Sequence, residues 1–301
     1  MKSLRIGTRG SPLALWQART VAALLHTRGH ASEICVIRTA GDRLQQAPLS
    51  EAGGKGLFVK EIEDALLAGS IDVAVHSAKD MSVALPDGLA VLAVLPREDS
   101  RDALVLGVGR PSLGERPRIG TGSVRRSAQL SRRHQDAQFL PIRGNVDTRL
   151  KKVDAGEYDA LVLAVAGLKR LGHADRISEA IPHEVCVPAP GQGIVAIEAR
   201  LHDAVVAAAV ASINDVATAA CFEAERAVVS ALGGGCQLPL GALAVHAGDR
   251  LVMQAIVLSR DGSRHIRERA EGHAAQPAEV GARLAAALAA AGANAILDEV
   301  R

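Results

Sequence analysis

The chain of 301 residues carries a formal net charge of +2, with 48% hydrophobic and 23% charged residues. These proportions are those of a globular protein and exclude a disordered chain, a collagen-like repeat and an acidic tail protein. The near-neutral charge and the scarcity of aromatic residues, 2% of the chain, argue against a dedicated nucleic-acid binder.

Hydrophobic periodicity predicts two successive sets of alternating strands and helices in the first half of the chain. The first set has strands at 4–7, 33–39, 71–76 and 89–95 and helices at 13–26 and 57–68. The second set has strands at 103–106, 118–120, 138–142 and 160–164 and helices at 124–133 and 147–155. Such alternation is typical of βαβ units and predicts mostly parallel sheets.

The last third of the chain has a different pattern. A helix is predicted at 215–232, where three consecutive glycines end it. Three strands at 240–246, 250–258 and 263–269 are joined by hairpin-like connections, and a helix at 278–291 follows. This segment therefore predicts an α+β domain with a three-stranded antiparallel sheet.

No segment predicts a membrane span, a secretory signal or a metal site. The longest uncharged apolar run, 204–213, is well short of the roughly 18 residues that a span needs. Arg5 and Arg9 interrupt the apolar pattern at the start, so the expected compartment is the cytoplasm. None of the four cysteines forms a C-x-x-C pair, and in a reducing compartment we expect free thiols.

Polar loops follow several of the predicted strands, at 8–11, 77–80, 121–126 and 143–149, and three of these four loops contain arginine. In a parallel sheet such loops lie at the carboxyl edge, where ligands bind. A single arginine in a loop is most often a solvated surface residue. Several of them in two successive βαβ sets predict a cleft between two domains that binds a small ligand with several carboxylates or phosphates.

Three further features could carry chemistry. Asp80 follows Lys79, which fits either a local ion pair or a catalytic carboxylate held ionised by cations. The glycine-rich run 53–58 fails the Walker pattern and is interpreted as a mobile loop. Cys236 follows three glycines in an exposed turn and is a candidate nucleophile or attachment point, whereas Cys35 and Cys221 fit buried spacers.

Ten segments along the chain form a further pattern. They are TRGSPLALWQ at 8–17, GGKGLF at 53–58, VHSAKD at 75–80, RED at 97–99, GT at 120–121, SVRR at 123–126, RGNV at 143–146, LAVAGLKRLG at 163–172, PGQG at 190–193 and GGCQ at 234–237. In this order they resemble the porphobilinogen deaminase family, also called hydroxymethylbilane synthase. The resemblance covers nearly the whole chain.

The resemblance implies a three-domain α/β enzyme with two doubly wound, periplasmic-binding-protein-like domains and a C-terminal α+β domain. The implied bounds are 1–95 with 194–212, then 99–190, then 216–301. The implied activity is a transferase of heme and porphyrin biosynthesis that condenses four porphobilinogen molecules into hydroxymethylbilane and releases ammonia. The implied enzyme is a cytoplasmic monomer without nucleic-acid or membrane partners.

The resemblance also implies one covalent dipyrromethane cofactor per chain, carried by Cys236, and assigns the catalytic role to Asp80. That carboxylate would stabilise the cation left when ammonia departs. The other implied cofactor-binding residues are Ser77, Lys79, Thr121, Ser123, Arg125, Arg126, Arg143, Gly144 and Arg149. The implied substrate-binding residues are Arg9, Ser11, Lys55, Phe58, Arg170 and Gln192.

Four positions depart from the family pattern. Glu51 stands where many bacterial members have lysine, and Ser82 where proline commonly follows the Lys-Asp pair. Gly122 replaces a common serine and Asp147 a small residue. An alternative function is a two-domain anion-binding protein without chemistry, which explains the βαβ sets and the arginines. It does not explain the glycine-cysteine loop or the third domain.

Overall fold

The computed structural model describes residues 3–43, 59–233 and 238–299. The chain divides into two compact units. Unit 1 comprises Met1–Arg97 and Ile194–Ala219, and unit 2 comprises Glu98–Gly193 and Ala220–Arg301. The chain therefore passes from one unit to the other three times.

Within the described residues, thirteen strands form three sheets, with ten α-helices around them. The strands are β1 Leu4–Thr8, β2 Ser32–Val36, β3 Val73–Ser77, β4 Leu89–Val94, β5 Asp102–Leu106, β6 Arg118–Gly120, β7 Gln138–Leu140, β8 Ala160–Ala164, β9 Glu179–Ile181, β10 Val195–Arg200, β11 Leu240–Ala247, β12 Arg250–Leu258 and β13 His265–His273. The helices are α1 Pro12–Thr27, α2 Ala40–Arg43, α3 Lys60–Leu67, α4 Val124–Leu130, α5 Val146–Asp154, α6 Val165–Arg170, α7 Ala204–Ala211, α8 Val216–Ala231, α9 Pro277–Ala290 and α10 Ala293–Asp298.

The sheet of unit 1 has the strand order β2-β1-β3-β10-β4. β1 pairs in parallel with β2 and β3, whereas β10 runs antiparallel between β3 and β4. Apolar side chains of α1 and α7 pack on one face and those of α3 on the other, so the sheet is doubly wound. The prediction of a mostly parallel sheet is wrong at β10, because the returning chain enters this sheet in the opposite direction.

The first sheet of unit 2 repeats this topology in the order β7-β6-β8-β5-β9. β6 pairs in parallel with β7 and β8, and β5 runs antiparallel between β8 and β9. In both sheets the antiparallel strand is the first strand that forms after the chain crosses from the other unit. It lies beside β3 in unit 1 and beside β8 in unit 2. The carboxyl ends of the parallel strands consequently share an edge with the amino end of the antiparallel strand.

The C-terminal sheet of unit 2 has the order β11-β12-β13 and is antiparallel throughout, as predicted. Its strands contact α9 and α10. Leu243, Ile256 and Leu258 pack against Ala128 and Val187 elsewhere in unit 2. Gly241 is required at this contact, because a Cβ there would lie 2.7 Å from the carbonyl oxygen of Val187.

The predicted fold class is thus confirmed, with two α/β sheets and a C-terminal three-stranded antiparallel sheet. Residues 98–193 and 220–301 belong to the same compact unit, and the three-domain bounds remain a prediction. No single helix in the described part of the chain is long and apolar enough to span a membrane, and α7 and α8 pass that test only as a bent pair.

Candidate functional site

The predicted site residues of unit 1 follow two adjacent parallel strands. Arg9 and Ser11 come after β1, and Ser77, Lys79 and Asp80 lie at and after the end of β3. Because β1 and β3 are paired in parallel, both loops lie at the same edge of the sheet.

Helix α1 links these two loops. Its N-cap is Ser11, whose Oγ accepts a hydrogen bond from the backbone N–H of Ala14 at 3.3 Å, and Pro12 occupies the first turn. The buried Gln17 lies one turn further and donates through Nε2 to Ser77 Oγ at 2.9 Å. Gln17 therefore holds the end of β3 next to the loop after β1, a role that the sequence reasoning missed.

Asp80 ends a single 3-10 turn that follows β3 at Ala78–Asp80. The backbone N–H of Ala78 donates to the carbonyl oxygen of Ile194 at 3.0 Å, just before β10 begins. Ala78 is buried, whereas Asp80 is exposed. The turn is thus anchored to the sheet at one end and presents the Asp80 carboxylate to solvent at the other.

In unit 2 the predicted residues follow the three parallel strands of the first sheet. Thr121 and Ser123 come after β6, and the backbone N–H of Thr121 donates to the carbonyl oxygen of Leu140 at 2.9 Å. Thr121 Oγ1 accepts from the backbone N–H of Ser123 at 3.2 Å. This contact folds the loop over the end of β6, with Ser123 as the N-cap of α4.

Three half-buried arginines lie near these loops. Arg143 follows β7, and Arg149 on α5 donates through Nε to the carbonyl oxygen of Gly144 at 2.8 Å. Gly144 has a φ of 110°, a conformation that a residue with a side chain rarely adopts. Arg170 ends α6 and donates to the carbonyl oxygen of Gly193 at 2.7 Å, and burial lowers its pKa. These guanidinium groups make this edge of the sheet cationic.

Arg125 and Arg126 occupy a different environment, because both pair with the fully buried Asp102 at the start of β5. Arg125 Nη1 lies 2.8 Å from Asp102 Oδ2 and 2.7 Å from the carbonyl oxygen of Val187. Arg126 binds Asp102 Oδ1 through Nε at 2.8 Å and Nη2 at 2.7 Å, and donates through Nη1 to the carbonyl oxygen of Val162 at 3.0 Å. Both guanidinium groups are thus engaged inside the unit.

This network fixes the ionisation of its members. Burial alone would raise the pKa of Asp102, but the charges of Arg125 and Arg126 outweigh it and hold that pKa well below its ordinary value. Burial, followed by the Asp102 charge, raises the pKa of Cys186 to about 12. The Cys186 thiol donates to Asp102 Oδ2 at 3.3 Å. Cys186 is therefore an unreactive member of this network.

Gln192 also belongs to the network. It is fully buried, and its Nε2 donates to the carbonyl oxygen of Ser100 at 2.7 Å and to Asp102 Oδ1 at 2.9 Å. Its Oε1 accepts from Arg126 Nη2 at 3.4 Å. Asp102 had no role in the sequence prediction, since nothing in the linear pattern connects it with arginines more than 20 residues away.

A second buried carboxylate connects this region with the C-terminal sheet. Glu225 on α8 accepts from the backbone N–H of Gly191 at 2.6 Å and from that of Ala244 on β11 at 2.8 Å. The sequence signal that could have identified it is a charged residue on the apolar face of an amphipathic helix. Glu225 therefore ties the 190–193 segment to β11.

Three predicted site residues, Lys55, Phe58 and Cys236, lie outside the described residues, as does Glu51. In the described part of the chain, no group of three or more histidine, cysteine, aspartate or glutamate side chains could hold a metal ion. In unit 1 the sheet edge bears an exposed carboxylate, which suits a ligand that develops positive charge. In unit 2 the sheet edge bears guanidinium and hydroxyl groups, which suit a ligand that carries carboxylates.

Comparison with known families and proteins gives one consistent result. The family model "Porphobilinogen deaminase, dipyromethane cofactor binding domain" matches residues 4–208, and "Porphobilinogen deaminase, C-terminal domain" matches 219–290. The chain is 46% identical to a porphobilinogen deaminase of Geobacter metallireducens over 99% of this chain and 95% of the relative. It is 48% identical to one of Acidithiobacillus ferrooxidans over 99% and 98%.

Solved structures give weaker similarity. The second substrate-binding domain of a putative amino acid ABC transporter from Streptococcus pneumoniae matches with a TM-score of 0.44 and 11% identity, over 77% of this chain and 95% of that chain. The periplasmic VFT2 domain of Bordetella pertussis BvgS matches with a TM-score of 0.41 and 16% identity, over 70% and 86%. At these values the likeness supports no functional assignment.

Proposed function

Because the chain belongs to the porphobilinogen deaminase family, we propose an assignment of that family's reaction to the residues of this chain. The activity is that of hydroxymethylbilane synthase in tetrapyrrole biosynthesis, with a dipyrromethane cofactor. The observation that supports the residue assignment best is the exposed Asp80 at the edge that also bears Arg9, Ser11 and Lys79.

The residues of unit 2 suit the acidic side groups of a dipyrromethane. Arg143, Arg149 and Arg170 are half-buried cations, and half-buried guanidinium groups bind carboxylates strongly. Thr121 and Ser123 add hydroxyl donors at the same edge. When bound, the cofactor supplies the primer that is extended, and we assign its attachment to Cys236, which the described residues do not include.

In unit 1 we assign the chemical step to Asp80. When the C–N bond of porphobilinogen breaks, the nitrogen leaves as ammonia and the remaining pyrrole becomes a cation. An exposed carboxylate anchored through Ala78 to the sheet can approach this charge as it develops. Arg9, Ser11, Ser77 and Lys79 lie at the same edge, and we assign to them the binding of the acidic groups of the ligands.

For Arg125, Arg126 and Gln192 we propose a structural role in place of the direct cofactor or substrate binding that the resemblance implies. Their contacts with Asp102 support a structural function, in which they hold β5 against the loop after β6. They act on ligand binding through the position of that loop. We assign direct contact with the ligand carboxylates to the half-buried Arg143, Arg149 and Arg170 instead.

The remaining assignments rest on the family resemblance. We propose that the enzyme is a monomer in the cytoplasm, that its small-molecule substrate is porphobilinogen, and that it has no nucleic-acid or membrane partners. The alternative of an anion-binding protein without chemistry is not favoured, because both family models that match the chain belong to an enzyme.

Intact mass and activity test the proposed function together. The purified wild-type protein should weigh more than its sequence by one dipyrromethane and should release ammonia from porphobilinogen. Cys236→Ser should fold, carry no adduct and release none, whereas Cys35→Ser should match wild type in all three respects. An active wild-type protein of unmodified mass, or an adduct that persists in Cys236→Ser, would refute the assignment.

A further inference from the structure

A buried group of three ionisable side chains lies beneath α3 in unit 1, and the proposed chemistry does not use it. His76 Nε2 on β3 lies 3.0 Å from Glu198 Oε2 on β10, and these side chains are only 4% and 0% exposed. Glu63 on α3 is also buried, at 7% exposure. Ionisable groups are almost never buried this fully without a partner or a function.

The sheet register places His76 and Glu198 on the face that α3 covers. His76 pairs with Ala196, and Glu198 pairs with Ala74 two residues along the same two strands. The two side chains are therefore diagonal neighbours on one face of the sheet. Ala74 on this face packs with Ile62 and Leu66 of α3, so the surroundings of the pair are apolar.

The charges in this group do not balance when every carboxyl group is ionised. Among the described residues, Oε1 of Glu63 and Oε1 of Glu198 are buried without a hydrogen-bond partner. Burial, together with the Glu198 charge, raises the pKa of Glu63 above its ordinary value. The protonated form of Glu63 therefore persists to a higher pH than in an ordinary glutamate, beside the His76–Glu198 pair.

Strand β10 is irregular at this point. Its register against β4 shifts between Ile197 and Glu198, which marks a bulge or a similar irregularity. Bulges recur next to active sites, where they change the direction of a side chain. Glu198 is thus held at a local distortion of the sheet in addition to its contact with His76.

The same two strands carry the turn that ends at Asp80. His76 directly precedes Ser77, which pairs with Val195 on β10. The backbone N–H of Ala78 then donates to the carbonyl oxygen of Ile194. The His76–Glu198 contact therefore joins β3 and β10 immediately below the anchor of the turn.

We propose that His76 and Glu198 are positioning residues that hold the Asp80 turn in its reactive place. The inference rests on the proposed function, since it assumes that Asp80 acts in the chemical step. A displacement of about 1 Å at a reacting group can cost roughly a hundredfold in rate. Contacts that fix the turn would therefore affect turnover without touching the substrate.

Seven other charged residues lie on α3 or on and beside the strands that it contacts. α3 packs against β1, β3, β4 and β10, and β4 contains no charged residue. At the opposite end of β3, Asp72 pairs with Arg5 and Arg200, and on α3 Lys60 pairs with Asp64. Glu61 accepts through Oε1 from the backbone N–H of Ala40, and Glu33 on β2 is exposed. Asp64 raises and Lys60 lowers the pKa of Glu63, each with a smaller effect than burial and Glu198.

The first arm of the test is Glu198→Gln in the holoenzyme, which keeps the side-chain shape and removes the charge. We expect kcat for ammonia release to fall about 10- to 100-fold, with KM within about twofold of wild type. The control is Asp72→Asn, which breaks the partly buried pair with Arg5 at the other end of the strand. It should lower Tm and leave kcat unchanged.

The second arm is the pH profile of Glu63→Gln. Because the pKa of Glu63 is raised in the folded protein, its carboxyl group ionises as pH rises, and repulsion from Glu198 then weakens the pair. As pH rises through this ionisation, wild-type kcat should therefore fall relative to the kcat of Glu63→Gln. This arm remains decisive even if Glu198→Gln does not fold.

The outcomes separate the two proposals. Failure of the wild-type protein to release ammonia would refute the proposed function. Normal kcat in Glu198→Gln at a lowered Tm would overturn the positioning role alone. Superimposable profiles of kcat against pH for wild type and Glu63→Gln would overturn it as well, because a purely structural cluster would not change the pH dependence of turnover.

Discussion

Two nitrogens of Arg126 bind the same carboxylate oxygen of Asp102, Oδ1, with Nε at 2.8 Å and Nη2 at 2.7 Å. The other oxygen of Asp102 is bound by Arg125 at 2.8 Å. All three side chains are buried, so the pairing joins β5 and α4 in the interior of unit 2. A network of this kind stabilises the fold only while each charge has its partner.

Asp102→Asn should therefore be strongly destabilising. It leaves two buried guanidinium groups without their carboxylate, at a cost of about 3–5 kcal/mol in the free energy of unfolding. Urea unfolding of both proteins measures this difference. Asp154→Asn, which breaks the more exposed pair with Arg176, is the matched control and should cost less than about 1 kcal/mol.

The same variant has a predictable pH dependence. Because the folded-state pKa of Asp102 lies well below the ordinary 3.8, its contribution to stability is present above pH 3.8 and is lost as pH falls below that value. The difference in the free energy of unfolding between wild type and Asp102→Asn, here called the stability gap, should decrease only in strong acid. A gap that narrows between pH 7 and pH 5 would contradict this account.

Cys186 should be chemically inert in the folded protein. Burial and the nearby Asp102 raise the pKa of its thiol to about 12, so almost no thiolate exists at pH 8. After treatment with iodoacetamide, peptide mass spectrometry should find Cys186 unmodified in the native protein and alkylated in urea. Cys35, which is partly exposed, serves as the internal comparison and should react faster.

Glu225 should contribute to the stability of unit 2 through its two backbone hydrogen bonds. Glu225→Gln retains one acceptor oxygen and loses the charge, which should cost about 1.5–3 kcal/mol in the free energy of unfolding. Glu223→Gln changes an exposed residue of the same helix and should have little effect. Equal unfolding midpoints for the two variants would show that the Gly191 and Ala244 contacts contribute nothing measurable.

The two classes of arginine should behave differently on substitution. Arg149→Leu should impair cofactor assembly or chain elongation with little change in Tm, since the half-buried guanidinium binds ligand carboxylates in the proposed function. Arg125→Leu should lower Tm markedly, because it leaves Asp102 with a missing partner. Parallel measurement of Tm and elongation kinetics distinguishes them. If Arg149→Leu and Arg125→Leu changed Tm and the elongation kinetics to the same extent, the distinction between ligand-binding and structural arginines would be contradicted.

Local structure could be predicted well where a strong pattern had clear end signals. Helix α1 is predicted within one residue at both ends, since its apolar periodicity is bounded by Pro12 and Gly29. The three C-terminal strands are predicted in number and order, because hairpin connections fix antiparallel neighbours. The loops after β1 and β3 could likewise be placed at one edge.

Long-range relationships could not be predicted in this way. β10 is a short, buried strand, and such a run cannot be distinguished from a helix segment by periodicity alone. Its antiparallel direction depends on the passage of the chain through unit 2. The partner of Arg125 depends on β5 lying beside β8, which no spacing in the sequence encodes. The Asp102 network therefore becomes visible only in three dimensions.

The most direct test of the central claim is the turnover of Asp80→Asn in the holoenzyme, with Asp87→Asn, a change at an exposed aspartate before β4, as the control. The variant keeps the shape of the side chain and removes its charge. The account predicts normal folding and porphobilinogen binding, with kcat reduced by about two to three powers of ten, as for other groups that stabilise charge in the transition state. Near-normal kcat with a raised KM would instead make Asp80 a binding residue and contradict the account.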